Sequence, residues 1–246
     1  MVAHQLAHNI MVALDTDASR ALELAHMLSG QARWVKVGMT LFYAEGPRII
    51  TSLKQLGYQV FLDLKLHDIP HQIEGALVSA ASTGANLITV HGLGGKAMLE
   101  AAARGAKRAR SLNHPVQVIA VTVLTSMDAS ELGSIGIADS EQTEALRLAE
   151  LARNAGLHGV VCSAHEAHAM RTLLGPDALV VTPGIRPAGT DTADQRRVAT
   201  ATEAIKAGAS HLVVGRPITN AQNPCQAFEK ISQELNGLDF ASHLHL

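Results

Sequence analysis

The chain has 246 residues, 47% hydrophobic and 17% charged, with a formal net charge of −2. That balance supports a sizeable core and excludes a disordered chain, and without a basic run it speaks against nucleic acid or an acidic membrane surface as a partner. No apolar run reaches bilayer length and the N-terminus lacks a basic start with a long apolar stretch, so neither a membrane helix nor a secretory signal is expected.

A short apolar run followed by an Ala/Leu-rich helical stretch recurs along the whole chain. The runs Ile10–Leu14, Trp34–Val37, Val60–Leu64, Leu87–Val90, Val116–Val121, Gly159–Cys162, Leu179–Thr182 and His211–Val214 predict eight strands. Aromatic residues are only 3%, so Ala, Leu, Val and Ile must fill the core, and Val and Ile suit strands buried on both faces. The helical stretches stop at Gly30, Gly57, Gly84, Gly156 and Gly208, where glycine tolerates the left-handed backbone that ends a helix. Pro115 and Pro176 punctuate two further junctions.

Strands alternating with helices imply a parallel sheet, either an open doubly wound sheet or a closed barrel. The count of eight favours the barrel, a (β/α)8 TIM barrel. Asp15, His91, Thr125, Arg186 and Arg216 each follow an apolar run, and in a barrel those ends converge on one mouth. No linker divides the chain, so one domain over residues 1–246 is expected. The longest irregular stretch, 183–194, is rich in Pro, Gly and Thr and has the composition of an active-site lid. Cys162 and Cys225 have no metal spacing, which points to a reducing cytoplasm; Cys162 reads as a small buried residue rather than a nucleophile.

The second and third strands carry charges inside apolar runs. Lys36 lies between Val35 and Val37, and the third strand reads Phe61-Leu62-Asp63-Leu64-Lys65 before Leu66-His67-Asp68-Ile69-Pro70. Side chains alternate faces along a strand, so if Leu62 and Leu64 pack under helices, Asp63 and Lys65 point into the barrel, as does Lys36. A buried ion pair is a poor stabiliser, because apolar replacements often do as well. A structural salt bridge is the bland reading, and a reactive Lys–Asp–Lys–Asp array is the functional one. Carboxylates beside Lys65 favour its ammonium form, which suits proton donation and a fixed positive charge rather than Schiff-base chemistry. Asp68, ahead of Ile69-Pro70, is also expected to cap the next helix.

The last two strands lead to Thr182-Pro183-Gly184-Ile185-Arg186 and Val214-Gly215-Arg216-Pro217. Loops after the seventh and eighth strands commonly hold phosphate in α/β barrels. Gly215 lets a ligand approach the backbone, Arg216 can grip two phosphate oxygens, and Gln195 at the end of the irregular stretch is placed to close over the same group. Arginines solvated at the rim are the alternative. His91 ends the fourth strand, where it can line the site. His243 and His245 belong to a C-terminal tail and suggest no metal.

With these residues in view, the chain resembles the bacterial orotidine 5′-phosphate decarboxylases over nearly its whole length. The segments that carry the resemblance are Ala13-Leu14-Asp15, Val35-Lys36-Val37-Gly38 through Tyr43, Asp63-Leu64-Lys65-Leu66-His67-Asp68-Ile69-Pro70, Val121 through Leu124-Thr125-Ser126, Thr182 through Arg186, and Val213-Val214-Gly215-Arg216. The resemblance implies decarboxylation of orotidine 5′-monophosphate to UMP in pyrimidine biosynthesis, by a homodimer with shared active sites. It implies that Lys65 protonates C6, that Asp63 sits near the departing carboxylate, and that Lys36 pairs with Asp63 and reaches the ribose. Asp68 would enter the partner's site and Asp15 would bind ribose hydroxyls. Thr125 and Ser126 would contact the base, and Arg186, Gln195, Gly215 and Arg216 would hold or cover the phosphate. Where the family commonly has Thr two residues after the motif's Pro, this chain has Gln72, whose reach differs.

No motif suggests pyridoxal phosphate, thiamine or a metal, so no cofactor is expected and preorganised charge must stabilise the C6 carbanion. The rivals are a Mg²⁺-dependent sugar-phosphate decarboxylase or aldolase sharing Asp-x-Lys-x-x-Asp, and a non-catalytic phosphate-binding barrel. The Asp-Ile-Pro run, Lys36 and the Leu-Thr-Ser segment oppose the first. The inward Lys–Asp array is left without a purpose by the second.

Overall fold

The computed structural model describes residues 8–186 and 199–235. Its centre is a closed barrel of eight parallel strands, each paired with the next in sequence. These are β1 (Ile10–Ala13), β2 (Trp34–Gly38), β3 (Gln59–Leu66), β4 (Leu87–His91), β5 (Gln117–Val121), β6 (Gly159–Val161), β7 (Leu179–Thr182) and β8 (His211–Val214). Closure comes from β8 lying beside β1, with Ile10 opposite Leu212 and Val12 opposite Val214. The open-sheet alternative is thereby excluded, and all eight predicted strands are present.

Helices fill every crossover: α1 (Ala18–Leu28), α2 (Met39–Glu45), α3 (Arg48–Gln55), α4 (Pro70–Ser82), α5 (Gly95–Ser111), α6 (Ala129–Ser134), α7 (Glu141–Asn154), α8 (Ala167–Leu174), α9 (Ala201–Lys206), α10 (Arg216–Thr219) and α11 (Pro224–Glu234). The glycines expected to end helices, at 30, 57, 84, 156 and 208, all have φ between 80° and 105°. Their N-termini are held by side chains: Asp17 accepts from the Arg20 N–H at the start of α1, and Asp128 and Thr200 form capping boxes with Glu131 and Glu203. Asp68 is not such a cap. The N-cap of α4 is Ile69, and the Asp68 carboxylate instead accepts the adjacent Ile69 N–H at 2.6 Å. Pro70 takes the first helical position, where its missing N–H costs nothing.

The period of two along each strand separates two cores. Ile10, Val12, Val35, Val37, Leu62, Leu64, Ile88 and Val90 face outward and pack under the helices. Met11, Ala13, Trp34, Phe61, Leu87, Ile119, Val181 and Val213 face inward and fill the barrel itself. The expected orientation of Leu62 and Leu64 is therefore the observed one.

At the N-terminal end of the barrel the filling is aromatic and polar. Trp34 packs edge-on against His211, with ring centroids 5.7 Å apart. Burial, and next the charge of Arg33, push the His211 imidazole down to about 4. In the unfolded chain a histidine titrates near 6.5. Between those values the unfolded chain binds the extra proton, so stability from this site is complete above about pH 6.5 and is lost as the pH falls towards 4. Urea unfolding at pH 7 and pH 4.5 should show a loss on the order of 2–3 kcal/mol that His211→Gln removes. An equal pH dependence in the variant would take His211 out of the explanation.

Candidate active site at the barrel mouth

At the C-terminal ends of the strands the barrel opens into a cavity of about 600 Å³. It is lined by charged residues from just after β1 and from β2 and β3 on one side and by the segments after β7 and β8 on the other. Lys36, on β2, places its Nζ 2.8 Å from Asp15 Oδ1 and 3.7 Å from Asp63 Oδ2. Lys65 Nζ lies 3.0 Å from the same Asp63 oxygen. The four side chains form a continuous line, Asp15–Lys36–Asp63–Lys65, most buried at its two middle members. The Lys36 and Asp63 side chains are 9% and 14% exposed, against 59% for Asp15. The lack of a side chain on Gly38 makes room for this line: a Cβ there would stand 2.7 Å from Asp15 Oδ1 and 3.2 Å from Lys36 Nζ.

Simple alternation does not account for Lys65. Between Leu62, opposite Ile88, and Leu66, opposite Val90, β3 holds two residues more than β4. Within that bulge Lys65 has φ of 50°, a left-handed backbone unusual for a residue other than glycine. Bulges re-aim side chains near active sites. Here Thr89 of β4, completely buried, holds the bend. Its hydroxyl accepts the Lys65 N–H at 2.8 Å and donates to Asp63 Oδ1 at 3.0 Å. One hydroxyl therefore fixes both a backbone and a carboxylate. Sequence reading missed Thr89, since Thr within Leu-Ile-Thr-Val-His looks like an ordinary strand residue. The available signal was its polar side chain on the inward face, two residues after Leu87.

The opposite wall is cationic. Arg186, 8% exposed, and Arg216 both line the cavity, with Gly215 beside them. Arg20, from α1, also lines it and was not anticipated; it donates to the Thr219 carbonyl and pairs with Glu23. The cavity thus gathers five cationic side chains against two carboxylates. Thr125 lines it, while Ser126 is exposed and lies outside the lining. Cys162 lines it as a buried thiol, and neither Cys162 nor Cys225 is in a disulfide. The two ends of segment 187–198 are pinned together, the Arg186 N–H donating to the Ala199 carbonyl at 2.9 Å. Gln195 and most of the expected lid lie outside the described residues, as do His243 and His245.

Asp68 and Gln72 are exposed and do not line their own chain's cavity. His91 is not a lining residue either. Its ring stacks on His67, centroids 5.7 Å apart, and its Nδ1 accepts the Leu93 N–H. Burial, then His67 and Lys65, hold the His91 imidazole below its ordinary value. Among the described residues, no group of three or more His, Cys, Asp or Glu side chains is disposed to hold a metal ion. No described helix is long and apolar enough to cross a membrane.

Comparison with known proteins agrees with this geometry. Residues 8–231 match the model of the orotidine 5′-phosphate decarboxylase / HUMPS family. An orotidine 5′-phosphate decarboxylase from Anaeromyxobacter sp. strain K is 47% identical over 230 residues, 93% of this chain and 99% of the relative. One from Alkalilimnicola ehrlichii is 48% identical over 233 residues, 94% of this chain and 97% of the relative. The crystal structure of orotidine 5′-phosphate decarboxylase from Lactobacillus acidophilus superposes with a TM-score of 0.82 at 36% identity, covering 94% of this chain and all of the other.

The Thr89 bridge makes a direct prediction. Thr89→Val keeps the shape but leaves the buried Lys65 N–H and Asp63 Oδ1 each one partner short, at a cost of about 1–3 kcal/mol. The urea midpoint should fall accordingly, and Thr89→Ser should recover most of it. An unchanged midpoint in Thr89→Val would show that the bend stands without the hydroxyl.

Proposed function

For a chain that belongs to the orotidine 5′-phosphate decarboxylase / HUMPS family, we propose decarboxylation of orotidine 5′-monophosphate to UMP, in pyrimidine biosynthesis and without a cofactor. The observation that carries this reading is the convergence of Lys36 and Lys65 on Asp63 inside a cavity whose far wall holds Arg186 and Arg216. A substrate with a phosphate at one end and a carboxylated ring at the other matches that charge distribution.

The step balances without an external oxidant or reductant. The bond from C6 to the carboxylate breaks, CO₂ leaves, and the electron pair stays on C6. The Lys65 ammonium, already aimed into the cavity by the bulge, stabilises that charge and donates a proton to C6. The resulting amine regains its proton from water. Asp63 holds the ammonium in place and faces the substrate carboxylate. Lys36 links Asp63 to Asp15, which meets the ribose hydroxyls. Thr125, with Ser126 beyond it, contacts the base. Arg186, Gly215 and Arg216, joined by Gln195, take the phosphate, whose remote binding energy can be used at the ring.

The same reading makes the active unit a homodimer in the cytoplasm. Asp68 is exposed and outside the lining of its own chain's cavity, and the rim that carries it also exposes apolar side chains. Met39, Tyr43, Ile69 and Leu93 follow β2, β3 and β4 on the same rim, Tyr43 being 69% and Ile69 63% exposed. A rim of this kind is characteristic of a covered surface. In the dimer Asp68 completes the partner's site next to Lys65, and Gln72 reaches the partner's substrate where relatives use Thr.

The test is direct. Purified protein should consume orotidine 5′-monophosphate, followed by absorbance and CO₂ release, and should do so after exhaustive chelation. A strict requirement for added Mg²⁺ would move the assignment to sugar-phosphate chemistry.

Shared sites predict complementation. Lys65→Ala and Asp68→Ala homodimers should each lose at least about a hundredfold in turnover. Mixed after dissociation, random pairing makes about half of the dimers mixed, each with one intact site, so roughly a quarter of wild-type activity should return. Subunit exchange, verified by tagging one variant, without recovered activity would show that Asp68 acts within its own chain.

A further inference from the structure

A second cavity, of about 610 Å³, opens at the other end of the barrel. It is framed by the N-terminal ends of β2 through β6 and by one face of α5. Arg33 enters it from the residue before β2. Lys107 and Arg110 enter it from the last turns of α5, beside Ala103 and Ala106, whose short side chains leave the space open. His158 completes the wall. Among the described residues, no carboxylate lines the cavity. Among the described residues, Arg33, Lys107 and Arg110 make no ion pair, whereas Arg104, one turn earlier on α5, is paired with Glu74.

Three exposed cations around one concave space, with no carboxylate in its described lining, repel one another, and an anion placed among them relieves that repulsion. Two histidines register the surplus. Burial and, more weakly, Arg110 lower the His158 imidazole against a raising hydrogen bond with Val118, and His211 feels Arg33. His158 Nδ1 faces both the Val118 N–H at 3.1 Å and the Val118 carbonyl at 3.3 Å, the second of which is the bond that favours the protonated ring, and this leaves Nε2 as the nitrogen available for a ligand. Around this charge the lining is amide-rich, with Gln59, Asn86 and Gln117.

We propose that this N-terminal cavity is a binding site for a small polyvalent phosphoryl anion, gripped by Arg33, Lys107 and Arg110 and separate from the cavity at the barrel mouth. The inorganic polyphosphates and the nucleoside triphosphates both present that chemistry. The site is independent of the decarboxylase reading, because none of its residues belongs to the mouth.

Trp34 lines this cavity and is the only tryptophan in the chain, so its fluorescence reports on the site. Titration with sodium tripolyphosphate at low ionic strength should give a saturable change, weakened by added salt. Lys107→Ala/Arg110→Ala should shift the midpoint at least tenfold to higher concentration while leaving turnover unchanged, since both side chains are exposed and unpaired. Arg216→Ala, at the opposite mouth, should leave the midpoint where it was. ATP binding no tighter than tripolyphosphate identifies the phosphate chain as the recognised group, and tighter binding identifies a nucleotide read by the amides. No saturable Trp34 response, a midpoint unmoved in the folded double variant, or a response lost in Arg216→Ala would each overturn the proposal.

Discussion

Two ammonium groups converge on one oxygen of Asp63, and the mouth of the barrel is arranged around that fact. Lys65 and Lys36 stand 3.0 and 3.7 Å from Oδ2, and Thr89 takes the other oxygen. Withdrawing such charges from water costs several kcal/mol per ion, which only close partners can offset. Take Asp63 away and Lys65 loses its ion-pair partner, while Lys36 keeps only Asp15 at the exposed rim. The arrangement gains little stability over an apolar core of the same shape. What it supplies is a fixed electric field at a place where a substrate can sit.

The strained backbone at Lys65 belongs to the same constraint. A regular strand would carry the residue after Leu64 one step further towards solvent. The bulge returns Lys65 over Asp63 instead, with φ of 50°, a conformation that costs on the order of 1–3 kcal/mol for a residue with a side chain. Surroundings must over-determine such a bend. Thr89 does so from β4 and Gly38 leaves space for the charges from β2, so three adjacent strands are committed to one geometry.

Much of this was legible in the sequence, for a definite reason. Short apolar runs and helix-ending glycines are local signals, and they located every strand. Lys36, Asp63 and Lys65 stood out because charge inside an apolar run demands an explanation. Other features depend on neighbours the sequence does not place side by side. The bulge is a mismatch between β3 and β4 and has no marker in either strand alone. Thr89 matters because of what lies across from it. Asp68 resembled a cap because aspartate ahead of Pro commonly is one, yet Ile69 intervenes and the carboxylate turns back to the adjacent N–H. The cationic cavity at the other end draws on Arg33, Lys107, Arg110 and His158, which come from three segments far apart in sequence.

The two ends of the barrel are kept apart by the layer between them. Along β1, β2, β3 and β4 an apolar inward residue precedes a polar one by two positions: Ala13 then Asp15, Trp34 then Lys36, Phe61 then Asp63, Leu87 then Thr89. Ile119, Val181 and Val213 close the layer from the other strands. The charges of the mouth therefore rest on a dry floor, where electrostatic interactions are stronger than in water. That floor also separates the Asp63 cluster from Arg33 below it, so each end can hold its own charge. A polar substitution at Phe61 would admit water beneath Asp63 and weaken the field without touching any charged residue, because the dielectric under those charges is set by the floor.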